Sequence, residues 1–328
     1  MVQPSRVDRH VEGIPDRGQA RAERERAEAV FIVGVSRSGT TLLRRVLDRH
    51  SLIAIATENH YLGHLLSWEG ARRYFRRAGD LRDDNAVRRL VELIYSTELQ
   101  RRSRWRQLSP YWRWLTSRVP RAEMEARLLA SDRTERGIFL AFLRIYADRR
   151  GKVIVGEKTP AHLAYVETLL EWFPEGRVVH ILRDPRAVFV SELRRRSERA
   201  EGFPYRQLVR VPAVLEGFVL LEVAWAWASA VHRHRSLARR YRGRYRLLRF
   251  EDLVTAPRET IAEICDFLGV ELEPAMLDQK VTSRGELVGQ AGFDAGAADR
   301  WRDTIPPRGK VGIERLLGRR IAEMGYRA

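Results

Sequence analysis

Seven residues, Ala29-Val-Phe-Ile-Val-Gly-Val35, carry no polar side chain and run straight into Ser36-Arg-Ser-Gly39. An unbroken apolar run of that length fits a strand covered on both faces, as in a parallel sheet between helix layers. Thr40–His50 follows with Leu42, Leu43, Val46 and Leu47 at helical spacing. This order of strand, Gly/Ser turn and helix constrains the chain more than any bulk property. Further strand signals lie at Ile53–Ala56, Lys152–Val155, Arg177–Leu182 and Tyr245–Phe250. Helical periods separate them at about 161–173, 185–199 and 213–241. The alternation predicts an α/β fold, a P-loop-like parallel sheet flanked by helices. Two more helices are expected near 257–268 and 311–325. From about 60 to 150 strand signals vanish, and helical periods carry Trp105, Tyr111, Trp112 and Trp114. That stretch is expected to be a helical insertion covering one end of the sheet and binding an acceptor.

Composition narrows the class. With 44% apolar and 31% charged residues, the 328-residue chain is not generally disordered. Residues 1–28 lack an apolar period and are expected to be a disordered arm, leaving 29–328 as one domain. The same stretch lacks the apolar segment of a secretory signal, so a cytoplasmic protein is expected. Ala213–Val231 is apolar but broken by Glu216 and Glu222, which favours a buried helix over a membrane span. The single cysteine, Cys265, excludes a disulfide framework or a Cys-rich zinc site. The net charge is +17, yet only four of the sixty basic residues are lysine: Lys152, Lys158, Lys280 and Lys310. Such a charge fits polyanion binding as well as an arginine-rich background composition.

Two local motifs speak to function. Gly34-Val-Ser-Arg-Ser-Gly-Thr-Thr41 joins the buried strand to its helix. Small residues let backbone N–H groups turn inward, and a helix N-terminus adds partial positive charge, so the loop suits phosphate or sulfate. Its spacing is that of a Walker loop with Thr40 in place of lysine, which argues against ATP or GTP hydrolysis and against a kinase. Arg37 supplies the cation instead. The second motif, Leu182-Arg-Asp-Pro-Arg-Ala-Val-Phe-Val-Ser191, puts Arg183 at a strand's carboxyl end. Asp184 is a good N-cap and Pro185 suits the first helical position. Arg183 and Ser191 form a candidate second anion site, while Arg186 is expected to be a solvated helix residue.

Together these motifs resemble those of the PAPS-dependent sulfotransferases, whose donor is 3′-phosphoadenosine 5′-phosphosulfate (PAPS). The first resembles that family's 5′-phosphosulfate loop and the second its 3′-phosphate motif. Val155-Gly-Glu-Lys-Thr-Pro160, Leu248-Arg-Phe-Glu-Asp-Leu253 and Arg300-Trp301 match in the family's order. Arg-Ser-Gly-Thr-Thr is nearest to the bacterial branch and to the tyrosylprotein enzymes. Leu42 stands where an aromatic is usual, so no adenine-stacking residue is identified. The resemblance implies that PAPS is the donor, that 3′,5′-ADP is the product and that no metal takes part. It implies donor contacts from Ser36, Arg37, Ser38, Gly39, Thr40, Thr41, Arg183, Ser191 and Arg300. It also implies catalysis by Glu58, Lys158 and Arg37. Glu58 follows the Ile53–Ala56 strand and is the expected base. Glu157 is its rival, and His60 and His162 are weaker ones. Lys158 is expected on the transferring sulfuryl group. Ser283 is a weak sulfate candidate. Trp301 is expected to pack, Glu251 and Asp252 to anchor a strand end, and His232 and His234 to lie on the surface. The acceptor is expected to be a small-molecule or glycan hydroxyl, with a peptide tyrosine as the alternative. Specific nucleic-acid binding is not expected. A non-catalytic polyanion-binding protein is the reading from another class.

Overall fold

The computed structural model describes residues 28–63, 76–96, 110–200, 203–283 and 286–326. The arm expected over 1–28 lies, except for Glu28, outside the described residues. Five parallel strands form the central sheet: β1 (Ala29–Gly34), β2 (Ile53–Ala56), β3 (Ile154–Lys158), β4 (Arg177–Leu182) and β5 (Tyr245–Arg249). Their order is β2-β3-β1-β4-β5, which puts β1 at the centre. Alternate residues of β1 face opposite layers, as pleating requires. Phe31 and Val33 join one buried cluster, Val30 and Ile32 the other.

The helices are α1 (Thr40–Leu47), α2 (Asp84–Tyr95), α3 (Pro110–Arg118), α4 (Arg121–Leu129), α5 (Glu135–Asp148), α6 (Val166–Trp172), α7 (Pro185–Glu198), α8 (Tyr205–Leu208), α9 (Pro212–Arg240), α10 (Phe250–Thr255), α11 (Pro257–Leu268) and α12 (Pro307–Glu323). α1 and α11 cover the Val30 face, while α5, α7, α9 and α12 serve the Phe31 face. The expected insertion is helical where it is described. However, α5 packs on β2 and β3 rather than over the sheet's end, with Phe139 stacked near Phe31.

Two elements depart from expectation. β3 runs further than the apolar signal, because Glu157 and Lys158 continue its pairing with Phe31 and Ile32. A two-stranded hairpin, β6 (Lys280–Ser283) with β7 (Glu286–Ala291), appears where no strand was expected. Of the long helices, α9 is apolar and long enough to span a bilayer by length and composition. It packs against α7, α12 and β5 and buries Trp227 completely.

The connection leaving β1 passes beyond β3 to β2, and the one leaving β4 goes the other way to β5. Between the carboxyl ends of β1 and β4 the sheet therefore opens a crevice, the usual ligand position in such sheets.

Candidate active site

The loop after β1 builds one wall of this crevice. Gly39 caps α1 with φ 93°, in the left-handed region. A Cβ there would lie 2.3 Å from the Phe250 ring, so only glycine lets the loop pack so closely. Arg37 also takes a positive φ, 69°, unusual for a residue with a side chain. This turn aims its guanidinium across the crevice, where Nε donates to Ser191 Oγ at 3.1 Å. The Ser38 side chain is fully buried, and its Oγ has no hydrogen-bond partner among the described residues.

The loop after β4 builds the facing wall. Asp184 accepts from Arg186 N as N-cap of α7, and Glu251 Oε1 accepts from Asp184 N at 3.0 Å. Glu251 thus anchors the strand end, as expected. Arg183 projects back toward the first loop and donates to Arg37 O at 3.4 Å and Ala297 O at 2.7 Å. Its guanidinium covers the Phe250 ring at 4.3 Å. Its Nε is buried with no partner among the described residues. Desolvation lowers the pKa of Arg183, and the neighbouring Arg37 cation lowers it further. Arg37 is open to the cleft, yet surrounding protein lowers its pKa as well. Two cations held together at such a cost make the crevice electropositive.

Glu58 stands just beyond β2, at the side of the crevice. Lys158, at the end of β3, donates to Glu58 and, at 3.3 Å, to Thr41 Oγ1. His60 Nε2 lies 3.4 Å from the other carboxyl oxygen. Burial pushes the Glu58 carboxyl up, but the His60 and Lys158 contacts outweigh it and hold the pKa at about 2. Glu58 is therefore ionised and tightly paired, with 31% of its side chain exposed.

Two cavities meet here. One, of about 320 Å³, runs from Glu58 and Arg37 past Arg183 to Phe250, Phe293 and Arg300. The other, of about 530 Å³, opens from Glu58, His60 and Arg37 toward α7 and α9, where Val188 and Trp225 line it. Of the described residues of the expected insertion, 60–63, 76–96 and 110–150, His60 alone lines either cavity.

The rival base is otherwise engaged. Glu157 is fully buried, takes a hydrogen bond from Thr159 and pairs with His162 Nδ1 at 2.5 Å. His162 Nε2 in turn accepts from Leu62 N–H. This pair positions the chain beyond Glu58 and lines neither cavity. Arg300 reaches the first cavity, ion-paired with Asp294 at 2.8 Å.

Arg186 corrects an expectation. It is fully buried rather than solvated, held by Asp184 at 2.8 Å and Glu314 at 3.3 Å, with its guanidinium 4.4 Å over Trp301. The N-cap carboxylate two residues back supplies the counter-charge that makes burial tolerable. Trp301 packs, as expected. His232 is exposed, but His234 is half-buried and pairs with Tyr245 OH at 3.2 Å. Nothing is described for the side chain of Ser283. Sequence reasoning missed Arg45, Arg194, Lys280 and Phe293 as lining residues. Arg194 follows Ser191 by three residues, so helical spacing alone could have put it on that face. Arg45 follows Thr41 by four on α1 and carries the same signal, while Lys280 and Phe293 carry none. Among the described residues no three His, Cys, Asp or Glu side chains gather at metal-ligand range.

The comparisons agree with this architecture. The model of the Sulfotransferase family matches residues 29–274. The sulfotransferase domain of the Synechococcus PCC 7002 olefin synthase is 20% identical with a TM-score of 0.52, covering 92% of this chain and 95% of that one. The sulfotransferase domain from the curacin biosynthetic pathway is also 20% identical, with a TM-score of 0.51 and coverage of 92% and 98%. At this identity the likeness shows a shared fold. Comparison with curated protein sequences finds no significant match. A family match over most of the described domain, on a parallel sheet whose two arginine-bearing loops meet between β1 and β4, leads to one conclusion: this chain belongs to the sulfotransferase family.

Proposed function

We propose that this sulfotransferase moves a sulfuryl group from PAPS to a hydroxyl acceptor by in-line attack. The observation that carries the reading is the direct joining of the two anion loops, Arg37 to Ser191 and Arg183 to Arg37 O. Loops so joined suit a single donor charged at both ends, and the orphaned Ser38 Oγ and Arg183 Nε are polar atoms such a donor can satisfy. Residues 36–41 would hold its 5′ end. Arg183, Ser191 and Arg300 would hold the 3′-phosphate, with Phe250 and Phe293 offering ring surface to the adenosine.

PAPS supplies an activated sulfuryl group on a good leaving group. Lys158 and Arg37 offset negative charge on that group and on the bridging oxygen. Glu58 accepts the acceptor's proton as its oxygen bonds to sulfur and the bridging S–O bond breaks, releasing 3′,5′-ADP. A carboxyl held at about 2 is a weak base. Lys158, drawn onto the sulfuryl oxygens, releases Glu58, whose pKa then climbs toward the useful range. The ion pair thus keeps the base idle until the donor is seated. The acceptor we propose is a carbohydrate, glycolipid or other small-molecule hydroxyl rather than a peptide tyrosine.

The test compares thermal stabilisation by 3′,5′-ADP, 5′-AMP and ATP, since ligand binding raises apparent stability. A clear shift with 3′,5′-ADP alone is expected. A shift with ATP instead would indicate a kinase, and indifference to all three a polyanion binder. Glu58→Gln should keep 3′,5′-ADP binding and lose on the order of 10²-fold or more in turnover.

A further inference from the structure

The buried face of α9 carries Leu215, Val219, Val223 and Trp227. Its opposite face, with Val211 just ahead of the helix, carries a line of large apolar side chains: Val211, Val214, Phe218, Leu221 and Trp225, between 40% and 62% exposed. They recur at alternating intervals of three and four, so they stack along one edge of the helix. Single exposed apolar residues are ordinary, but a continuous line of them marks a binding surface. From Trp225 to Val211 the line is about 21 Å long. Phe218 is braced edge-on by Tyr205, with ring centroids 5.6 Å apart.

Trp225 belongs to both features. It ends the stripe and also lines the 530 Å³ cavity that contains Glu58. Three arginines, Arg37, Arg195 and Arg196, and three carboxylates, Glu58, Glu192 and Glu222, line that cavity and balance in charge. Glu192 takes hydrogen bonds from Arg195 and Arg196, and Tyr205 donates to Glu222. Such a wall asks for no charge on the acceptor.

We propose that the acceptor is a neutral amphiphile with an aliphatic chain. Its hydroxyl lies at Glu58, and its chain passes Trp225 and follows the α9 stripe toward Val211. This rests on the sulfotransfer reading above and narrows its acceptor to a lipid-like alcohol.

The test uses primary alcohols from butan-1-ol to decan-1-ol, with the protein saturated in 3′,5′-ADP. Binding is read by calorimetry and turnover by labelled PAPS. Affinity should rise about twofold per methylene, half the roughly fourfold factor of full burial, because the stripe touches one side of the chain. Phe218→Gln and Leu221→Gln change exposed positions outside both cavities. They should flatten the series while leaving butan-1-ol and 3′,5′-ADP binding unchanged. A flat series in the unaltered protein overturns the proposal. So does a series that survives both substitutions, including the case where they turn a dimer into a monomer and expose the stripe as a subunit interface. A graded series without sulfuryl transfer upholds the stripe and refutes the sulfotransfer reading. Transfer with a flat series does the reverse.

Discussion

Replacing Lys158 with methionine tests the ion pair at the centre of the site. The side chain keeps its length and apolar stem but loses the ammonium beside Glu58. In the folded protein the Glu58 pKa is lowered from 4.5 to about 2. At about 1.36 kcal/mol per pH unit that drop is worth roughly 3 kcal/mol. Water screening at a carboxyl with 31% of its side chain exposed leaves on the order of 2 kcal/mol. A depressed carboxyl stabilises the fold above its unfolded pKa and ceases to do so as pH falls through its folded one. The contribution is therefore complete above about pH 5, roughly halved near pH 3 and gone below pH 2. Urea unfolding of both proteins between pH 7 and pH 3 measures it. His60 still holds part of the shift in Lys158→Met, so the unaltered protein should lose more than the variant over that range, by at most about 1 kcal/mol. Equal losses would refute the reasoning, because the ammonium would then have no share in holding Glu58 down.

Arg183→Ala removes charge-assisted hydrogen bonds and should weaken 3′,5′-ADP binding roughly tenfold to a hundredfold in a calorimetric titration; unchanged affinity would remove Arg183 from the donor site. Gly39→Ala forces a Cβ toward the Phe250 ring at 2.3 Å and into a left-handed φ. It should lower Tm and abolish the 3′,5′-ADP shift together, while a normal shift would mean the loop tolerates displacement. Arg186→Ala strands Asp184 in a buried setting and should cost about 3–5 kcal/mol in urea unfolding, whereas a solvated arginine would cost almost nothing.

The sequence made the local parts of the site readable and hid the long-range ones. Gly34–Thr41 and Leu182–Ser191 announce themselves because strand, turn residues and helix onset are neighbours in the chain. The 257–268 helix matched α11 because Pro257, Gly269 and its apolar period are equally local. β3 was placed short because the polar Glu157-Lys158 pair looks like a loop start, while the strand's end is set by pairing with β1. Arg186 looked solvated because its burial depends on Glu314, 128 residues away. The tie between Lys158 and Glu58 spans 100 residues and leaves no spacing signature. Likewise, Gly39 and Phe250 meet only once β5 has delivered the aromatic ring beside β4.

The stitch between α7 and α12 has a consequence for biosynthesis. Gly309 lies against the Phe189 ring and Glu314 holds Arg186, while Ala297 and Arg300 flank Arg183. The crevice proposed to hold the donor is thus assembled from β1 and from a segment some 260 residues further along the chain. A nascent chain halted before α12 would own both arginine loops yet lack Glu314 beside Arg186, so the crevice should become competent only once α12 has been made.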